Sequence, residues 1–422
     1  MSELSQKRDQ DTLPLRSVQE TERKAAAAVL PLADETFDRK VFSLLGVPID
    51  ALTMAQTTTA IDRTINSGGK MWLSTPNLDW IHMARNDADF RRTTIAADLS
   101  VCDGMPVLLL AKIAGIPLKT RVQGSSLFDR LRKTKPSFRG SRSVFFFGGR
   151  EGAAEKAAAA LTHEDGGVTS IGSFNPGFGT VDQMSAPEIV DEVSAGNPDL
   201  LIVSLSSRKG QLWIEQNFER LAARIIAPLG AVVDFTSGTI QRAPKLLQRL
   251  GLEWLWRIKE DPKLALRYGQ NLLALPGFAT RCMLIRTLLG RKNSKGVKSE
   301  TMSQIQPQAG QVVVHLGADC REAALTPTRE ALKAAIAANL DVHVDFAAAD
   351  CIDLSLMGLL QLAAHRTEQS GHKFTIGGTD KTSRLIMALN DCRFQDKVLA
   401  KDASGDNMTG QVSQVSFNGT RR

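Results

Sequence analysis

An α/β fold with a mostly parallel, Rossmann-like sheet is predicted by three observations. Short apolar runs alternate with helix-length stretches from Val41 onward. Gly, Pro, Asn and Asp punctuate the junctions, and the alternation restarts near Val312 after a polar break. Strand and helix alternating at this spacing are what parallel strands joined by helical crossovers produce.

The elements follow in chain order. Residues 1–38 are polar, low in aromatics and then Ala-rich, and are expected to be disordered. A sheet domain is expected over residues 39–241, with strands at Met71–Ser74, Leu99–Cys102, Ser143–Phe147, Val168–Phe174, Leu200–Leu205 and Ile225–Val233. Its helices are expected at Ala51–Ser67, Leu78–Phe90, Ala153–Leu161, Ala186–Ala195 and Gly210–Leu221. Residues 242–290 read as a basic helical appendage, in which Leu246, Leu250, Trp254 and Ile258 recur every fourth position and form one apolar stripe. Residues 291–310, rich in Lys, Ser, Gln and Pro, read as a linker. A smaller α/β unit is expected over residues 311–400, able to fold alone, with a frayed tail at 401–422.

Composition narrows the function classes. The five cysteines lie far apart without a C-x-x-C pair, which argues against a disulfide framework or a structural zinc site and suits a reducing cytoplasm. No H-E-x-x-H occurs, and neither a secretion signal nor about 18 uninterrupted apolar residues is found. The nearest apolar run, Asn271–Leu289, is broken by Pro276, Arg281 and Arg286. The net charge of +7 is uneven: Arg242 to Lys298 carry 13 Lys or Arg against 3 acids, an excess of +10 that leaves the rest of the chain at −3. Such a patch suits phosphate, in a ligand or on an anionic membrane surface. No nucleic-acid recognition motif accompanies it, and no nucleic-acid partner is expected.

Two short motifs stand directly after strand candidates, Thr75-Pro76-Asn77 and Asp103-Gly104. Ligands of open α/β sheets bind beyond the carboxyl ends of the strands, so both can face one crevice. Thr and Asn offer hydroxyl and amide groups to a sugar, and Asp a carboxylate able to act as a general base. Asn and Asp also cap helices, and D-G is a common turn, so both readings stand. Gly148-Gly149, between an apolar strand and an Ala-rich helix, suits either a diphosphate or tight helix packing. Arg257, Lys263 and Arg267 lie among tryptophans and leucines in "GLEWLWRIKEDPKLALRY". They can clamp a diphosphate, lie on an anionic bilayer, or form a solvated face.

TPN, DG, Arg121-Val122-Gln123-Gly124, the GG turn, Asn175-Pro176-Gly177-Phe178 and RAP followed by EWLWR…P…RY occur in one order between Val41 and Arg281. This ordered set resembles the WecG/TagA/CpsF family of bacterial glycosyltransferases. The resemblance implies transfer of a sugar, N-acetylmannosamine in the best-known members, from a UDP donor to a polyprenyl-diphosphate-linked acceptor. It implies inversion, no metal or other cofactor, and work at the inner face of the cytoplasmic membrane in surface polysaccharide synthesis. It further implies Asp103 as base, Thr75 and Asn77 in the sugar-nucleotide pocket, and Arg121, Arg257, Lys263 and Arg267 toward the diphosphate. Where the family shows G-x-P-K-Q-E, this chain has Ser206 to Gln211, and Gln211 stands in for the family glutamine by a one-residue shift. That departure favours the alternative, a catalytically silent scaffold.

The stretch "ADCIDLSLMGLLQLAAHRTEQSGHKFTIGG" is similar to a STAS domain, whose usual signature is I-D-S-S-G. The similarity implies an unknown protein partner. Leu354 stands where the phosphorylated serine usually does, so binding without phosphorylation there is expected, with Ser355 capping the following helix.

Overall fold

A computed structural model describes residues 37–138, 140–162, 165–244, 246–247 and 252–396. Most of the two termini expected to be disordered lies outside the described residues, as does Leu250 of the expected stripe. The fold is α/β, with one large and one smaller sheet.

The chain opens with a hairpin, β1 (Val41–Leu44) and β2 (Val47–Asp50), turning at Leu45 and Gly46, both with positive φ. That conformation is what a two-residue turn needs to match strand twist. Then follow α1 (Met54–Asn66), β3 (Met71–Ser74), α2 (Leu78–Asn86), α3 (Ala88–Ala96), β4 (Leu99–Ser100), α4 (Met105–Ala114) and α5 (Gly124–Lys133). Next come β5 (Arg142–Gly148), α6 (Ala153–Thr162), β6 (Val168–Phe174), α7 (Pro187–Ser194), β7 (Leu200–Ser204), α8 (Ser207–Asn217), β8 (Ile225–Ala227) and α9 (Gly230–Thr236). The six strands from β3 to β8 pair in parallel in the order β4-β3-β8-β7-β5-β6.

Helices α10 (Glu253–Glu260) and α11 (Leu264–Asn293) form the appendage. The second sheet contains β9 (Gln304–Gln308), β10 (Gln311–His315), β12 (Asp341–Asp345), β14 (Phe374–Gly377) and β15 (Gln395–Asp396). Beside it lie the short pair β11 (Asp319–Cys320) and β13 (Cys351–Ile352), with α12 (Thr326–Ala337), α13 (Leu354–Gln369) and α14 (Lys381–Leu389).

Several boundaries differ from the sequence reading. The helix expected over 78–90 is two helices, because the Asp87 carboxylate caps a new one by accepting from Phe90 N at 3.0 Å. The strand expected over 225–233 stops at Ala227: Pro228 cannot donate to a ladder, and Val232 and Val233 turn inward from α9. The linker expected over 291–310 is shorter, with 294–303 free of helix and strand. Helix α11 runs to Asn293, and β9 pairs antiparallel with β10. All five residues of β9 are exposed and four are glutamine or proline, so no apolar alternation announced it. Ser355 does not cap α13. Asp353 does, accepting from Ser355 N at 2.8 Å, while Ser355 is buried and its hydroxyl donates to the same carboxylate.

The two sheets are joined by one apolar core. The β1–β2 hairpin, Trp80 and Phe90, the inner face of α4, and Phe278, Cys282, Ile285 and Leu289 of α11 pack together with Leu356, Leu359 and Leu360 of α13. A smaller unit folding without its neighbour would expose that shared face to water, at a cost of about 25 cal/mol per Å² of apolar surface.

Candidate active site

Adjacent strands β3 and β4 deliver the two motifs side by side. Val101 N donates to Ser74 O at 2.9 Å and Asp103 N to Pro76 O at 2.9 Å, so the TPN and DG turns are pinned to each other. Cys102 O in turn accepts from Val122 N at 2.7 Å, which brings in the start of α5. Thr75 is buried at the base of this junction. Asn77 caps α2, accepting from Trp80 N at 3.2 Å, and also lines the cavity described next. Gly104 adopts φ of 92°, a region that suits glycine, and swings the chain into α4.

A cavity of about 460 Å³ opens at the carboxyl ends of β3, β4, β7 and β8. Thr75, Asn77, Asp103, Arg121, Arg257 and Arg267 all line it. The helices α4, α5 and α8 begin at this cavity, and none has a side-chain cap. Their positive dipole ends favour an anion, and the first N–H groups of α4 and α8 are left to one, while that of α5 is taken by Asp103. Asp103 accepts from Gly124 N, and a Cβ at Gly124 would lie 2.5 Å from Leu229 Cδ2, so a side chain there would have to displace Leu229. Asp103 keeps some surface open to the cavity, yet protein crowds it closely. Burial pushes its carboxyl up to about 6, opposed by Arg257, the Gly124 N–H and Arg121, and helped by the neighbouring charge of Glu253. A carboxyl in that range is a base near neutral pH and an acid just below it.

The appendage covers this cavity through polar contacts. Gln123 donates to Glu253, whose other oxygen lies 3.9 Å from Arg242 Nε. Asp79 is approached by Arg267 at 3.9 Å and accepts from Asn271 at 3.4 Å. Arg150, just beyond the carboxyl end of β5, reaches Asp261 at 3.2 Å. The Arg257 guanidinium stands 5.5 Å from the Phe235 ring, which supports it while leaving its donors available to the cavity.

Four residues singled out in the sequence lie elsewhere. Gly148 and Gly149 have φ of 81° and 106° and pack against Ser204, Leu205 and Val233, so they serve a tight turn. Gln211 is buried beneath the site, accepting from Trp72 Nε1 at 3.1 Å and donating to Ser74 Oγ at 3.3 Å. The one-residue shift carries it onto the inward face of α8. Lys263 is exposed at the start of α11 and does not line the cavity. Gln123, Glu253, Asp79, Asn271 and Ser207 line it without having been singled out. Gln123 and Glu253 sit inside motifs already noticed, RVQG and EWLWR, and that adjacency was the available signal.

Among the described residues, no group of three His, Cys, Asp or Glu side chains is placed to hold a metal ion. Helix α11 is long and apolar enough to cross a membrane by length and composition. Its buried stripe of Phe278, Cys282, Ile285 and Leu289 packs on protein, while Leu266, Leu272, Leu273, Met283 and Leu284 are exposed.

Residues 42–294 match the Glycosyl transferase WecG/TagA/CpsF family. Similar proteins include three named N-acetylglucosaminyldiphosphoundecaprenol N-acetyl-beta-D-mannosaminyltransferase. The one from Bacillus spizizenii is 25% identical over 223 residues, spanning 53% of this chain and 81% of the relative. That from Bacillus subtilis is 22% identical over 224 residues, again 53% and 81%. A Staphylococcus aureus relative is 24% identical over 222 residues, 52% of this chain and 85% of its own.

Proposed function

The chain belongs to the WecG/TagA/CpsF family and is a glycosyltransferase; within that family, we propose that it transfers an N-acetylmannosamine-like sugar from a UDP donor to a polyprenyl-diphosphate-linked acceptor in surface polysaccharide synthesis. One observation carries the reading. A carboxyl pushed up to about 6, Asp103, shares a cavity with Arg121, Arg257, Arg267 and the uncapped starts of α4 and α8. The three relatives' name specifies a lipid-diphosphate-linked N-acetylglucosamine acceptor, which agrees with a cavity rich in anion-binding groups.

In this mechanism Asp103 takes the proton of the acceptor hydroxyl as its oxygen attacks the anomeric carbon. The bond from that carbon to the β-phosphate oxygen breaks, and its electron pair leaves with UDP. Attack opposite the leaving group inverts the centre. One negative charge develops on the diphosphate, and without a metal the fixed arginines and helix N–H groups stabilise it. Thr75 and Asn77 hold the donor sugar or its nucleotide.

The lipid acceptor calls for a membrane surface, and peripheral association with the inner face of the cytoplasmic membrane is part of the proposal. No charged residue occurs between Arg267 and Arg281, and α11 there exposes Leu272 and Leu273. Met105 and Leu109 of α4 are also exposed. With the +10 segment, these combine apolar insertion and charge attraction. The STAS-like reading of residues 311–400 is kept as a proposal of a protein partner. Because Ser355 is buried, partner binding there would be constitutive rather than switched by phosphorylation.

The test is UDP release from a panel of UDP-sugars with a short-chain lipid-diphospho-N-acetylglucosamine. Release with UDP-N-acetylmannosamine that depends on the acceptor supports the proposal. Release independent of the acceptor, or none with any donor, contradicts it.

A further inference from the structure

The strand that delivers Asp103 is held from an unusual side. β4 has two residues and is the edge of the large sheet, with β3 on one flank. On its open flank, Asp50 at the end of β2 takes the place of a neighbouring strand. The Asp50 carboxylate accepts from Ser100 N at 2.7 Å, and Asp50 bridges Val101 in parallel fashion. Arg39, 3.6 Å from Asp50, donates through both terminal nitrogens to Ala97 O at 3.2 Å, just before β4. Both charged side chains are buried. From Val101 it is two residues to Asp103.

The hairpin carrying Asp50 is gripped in turn by the second unit. Arg329 of α12 donates to Phe37 O and, at 2.7 Å, to Arg39 O, while pairing with Glu322 at 2.7 Å. Gln361 of α13 donates to Gly46 O at 2.9 Å, and Asn390 accepts from Leu45 N at 2.7 Å, so the hairpin turn is satisfied by the far unit. Gly358 of α13 lies directly on β1: a Cβ there would come within 3.1 Å of Val41 O, Phe42 C and Ser43 N.

From this chain of contacts we propose that Asp50 is a positioning residue for Asp103, and that the C-terminal unit holds the active-site strand in place through the β1–β2 hairpin. The inference rests on Asp103 as the base, and it makes the second unit part of the catalytic body rather than an appended module. Buried hydrogen bonds to backbone on both sides leave the strand one position, and a shift of about 1 Å at a reacting group can cost about 10²-fold.

The experiment uses the full chain with Asp50→Asn, Gly358→Ala and, as a control in the second sheet away from the hairpin, Ile376→Val. Hydrogen exchange is followed in the peptide covering 97–104, alongside kcat and the donor KM in the UDP-release assay. Both hairpin variants should speed exchange at Ser100–Asp103 by about tenfold, Asp50→Asn by replacing the charge-assisted bond to Ser100 N with a weaker neutral one and Gly358→Ala by pushing β1 off its seat. Both should lower kcat by about 10- to 100-fold with donor KM within about twofold. The control should change neither. Unchanged exchange in 97–104 in a folded hairpin variant overturns the proposal, and so does faster exchange with kcat unaltered. Gly358→Ala, a one-methyl change, keeps the question answerable if Asp50→Asn does not fold. Exchange needs no substrate, so wild-type protein inactive on every donor would remove the functional reading while leaving the strand-holding contact to be judged by exchange alone.

Discussion

Strand-to-helix turns in this molecule carry acids and use them in opposite ways. After β13, Asp353 turns back on its own helix, accepting from Ser355 N at 2.8 Å and from Glu322 N at 3.0 Å. Asp380 caps α14 in the same manner, accepting from Ser383 N at 2.6 Å. After β4, Asp103 does not cap α4; it takes its hydrogen bond from Gly124 of a different helix and lines the cavity. Gly104, with its positive φ, occupies the capping position instead and leaves the first N–H groups of α4 to the site. An acid that its own helix does not use is held in place by tertiary structure, and its burial there raises its carboxyl to about 6. Asn77 does both jobs, capping α2 while lining the cavity.

The contrast can be sharpened by substitution. Arg257→Ala removes a cation that faces the Asp103 side of the comparison, and turnover should fall by about 10²- to 10³-fold, as when one preorganised donor is lost. UDP release within a few fold of wild type would take Arg257 out of leaving-group stabilisation. Gln211→Leu leaves the buried Trp72 Nε1 without its acceptor and should cost about 1–3 kcal/mol in urea unfolding. Its donor KM should stay within about twofold. A raised KM with unchanged stability would return Gln211 to the site. Asp353→Ala loses the cap and also the acceptor of Glu322 N and of the buried Ser355 hydroxyl, about 1–3 kcal/mol, with turnover near wild type. A large fall in turnover would erase the distinction between the two turns.

The pH dependence of stability follows from the sign of the Asp103 shift. Asp103 has its folded value raised from 3.8 to about 6. A raised value means the folded state binds the proton more tightly, so stability is full below about pH 4 and is lost as pH rises through about 6. Asp103→Asn should therefore melt higher than wild type at pH 8 and alike at pH 4. Equal melting at both would show that burial does not strain this carboxylate.

The alternation of apolar runs and the ordered motifs made the large parallel sheet and the Thr75, Asn77 and Asp103 junction legible in the sequence, because both depend on local pattern. Gln211 and Gly148-Gly149 read as site residues by motif position alone. Their destinations depend on which way α8 rotates and on what packs against the turn, which neighbouring sequence does not encode. β9 was invisible because backbone pairing to β10, not side-chain burial, holds it. The hairpin and its grip by Gly358, Gln361 and Asn390 join positions more than 300 residues apart, beyond any periodicity.

The most direct test of the account is the pH profile of kcat/KM for acceptor-dependent UDP release, measured on wild type and Asp103→Asn. Wild type should lose activity as pH falls through about 6, where burial places the Asp103 carboxyl. The variant should be slower by about 10²-fold or more and should lack that limb, since amide cannot serve as the base. A variant that retains near wild-type turnover, with the same fall near pH 6, would contradict the assignment of Asp103 as the base.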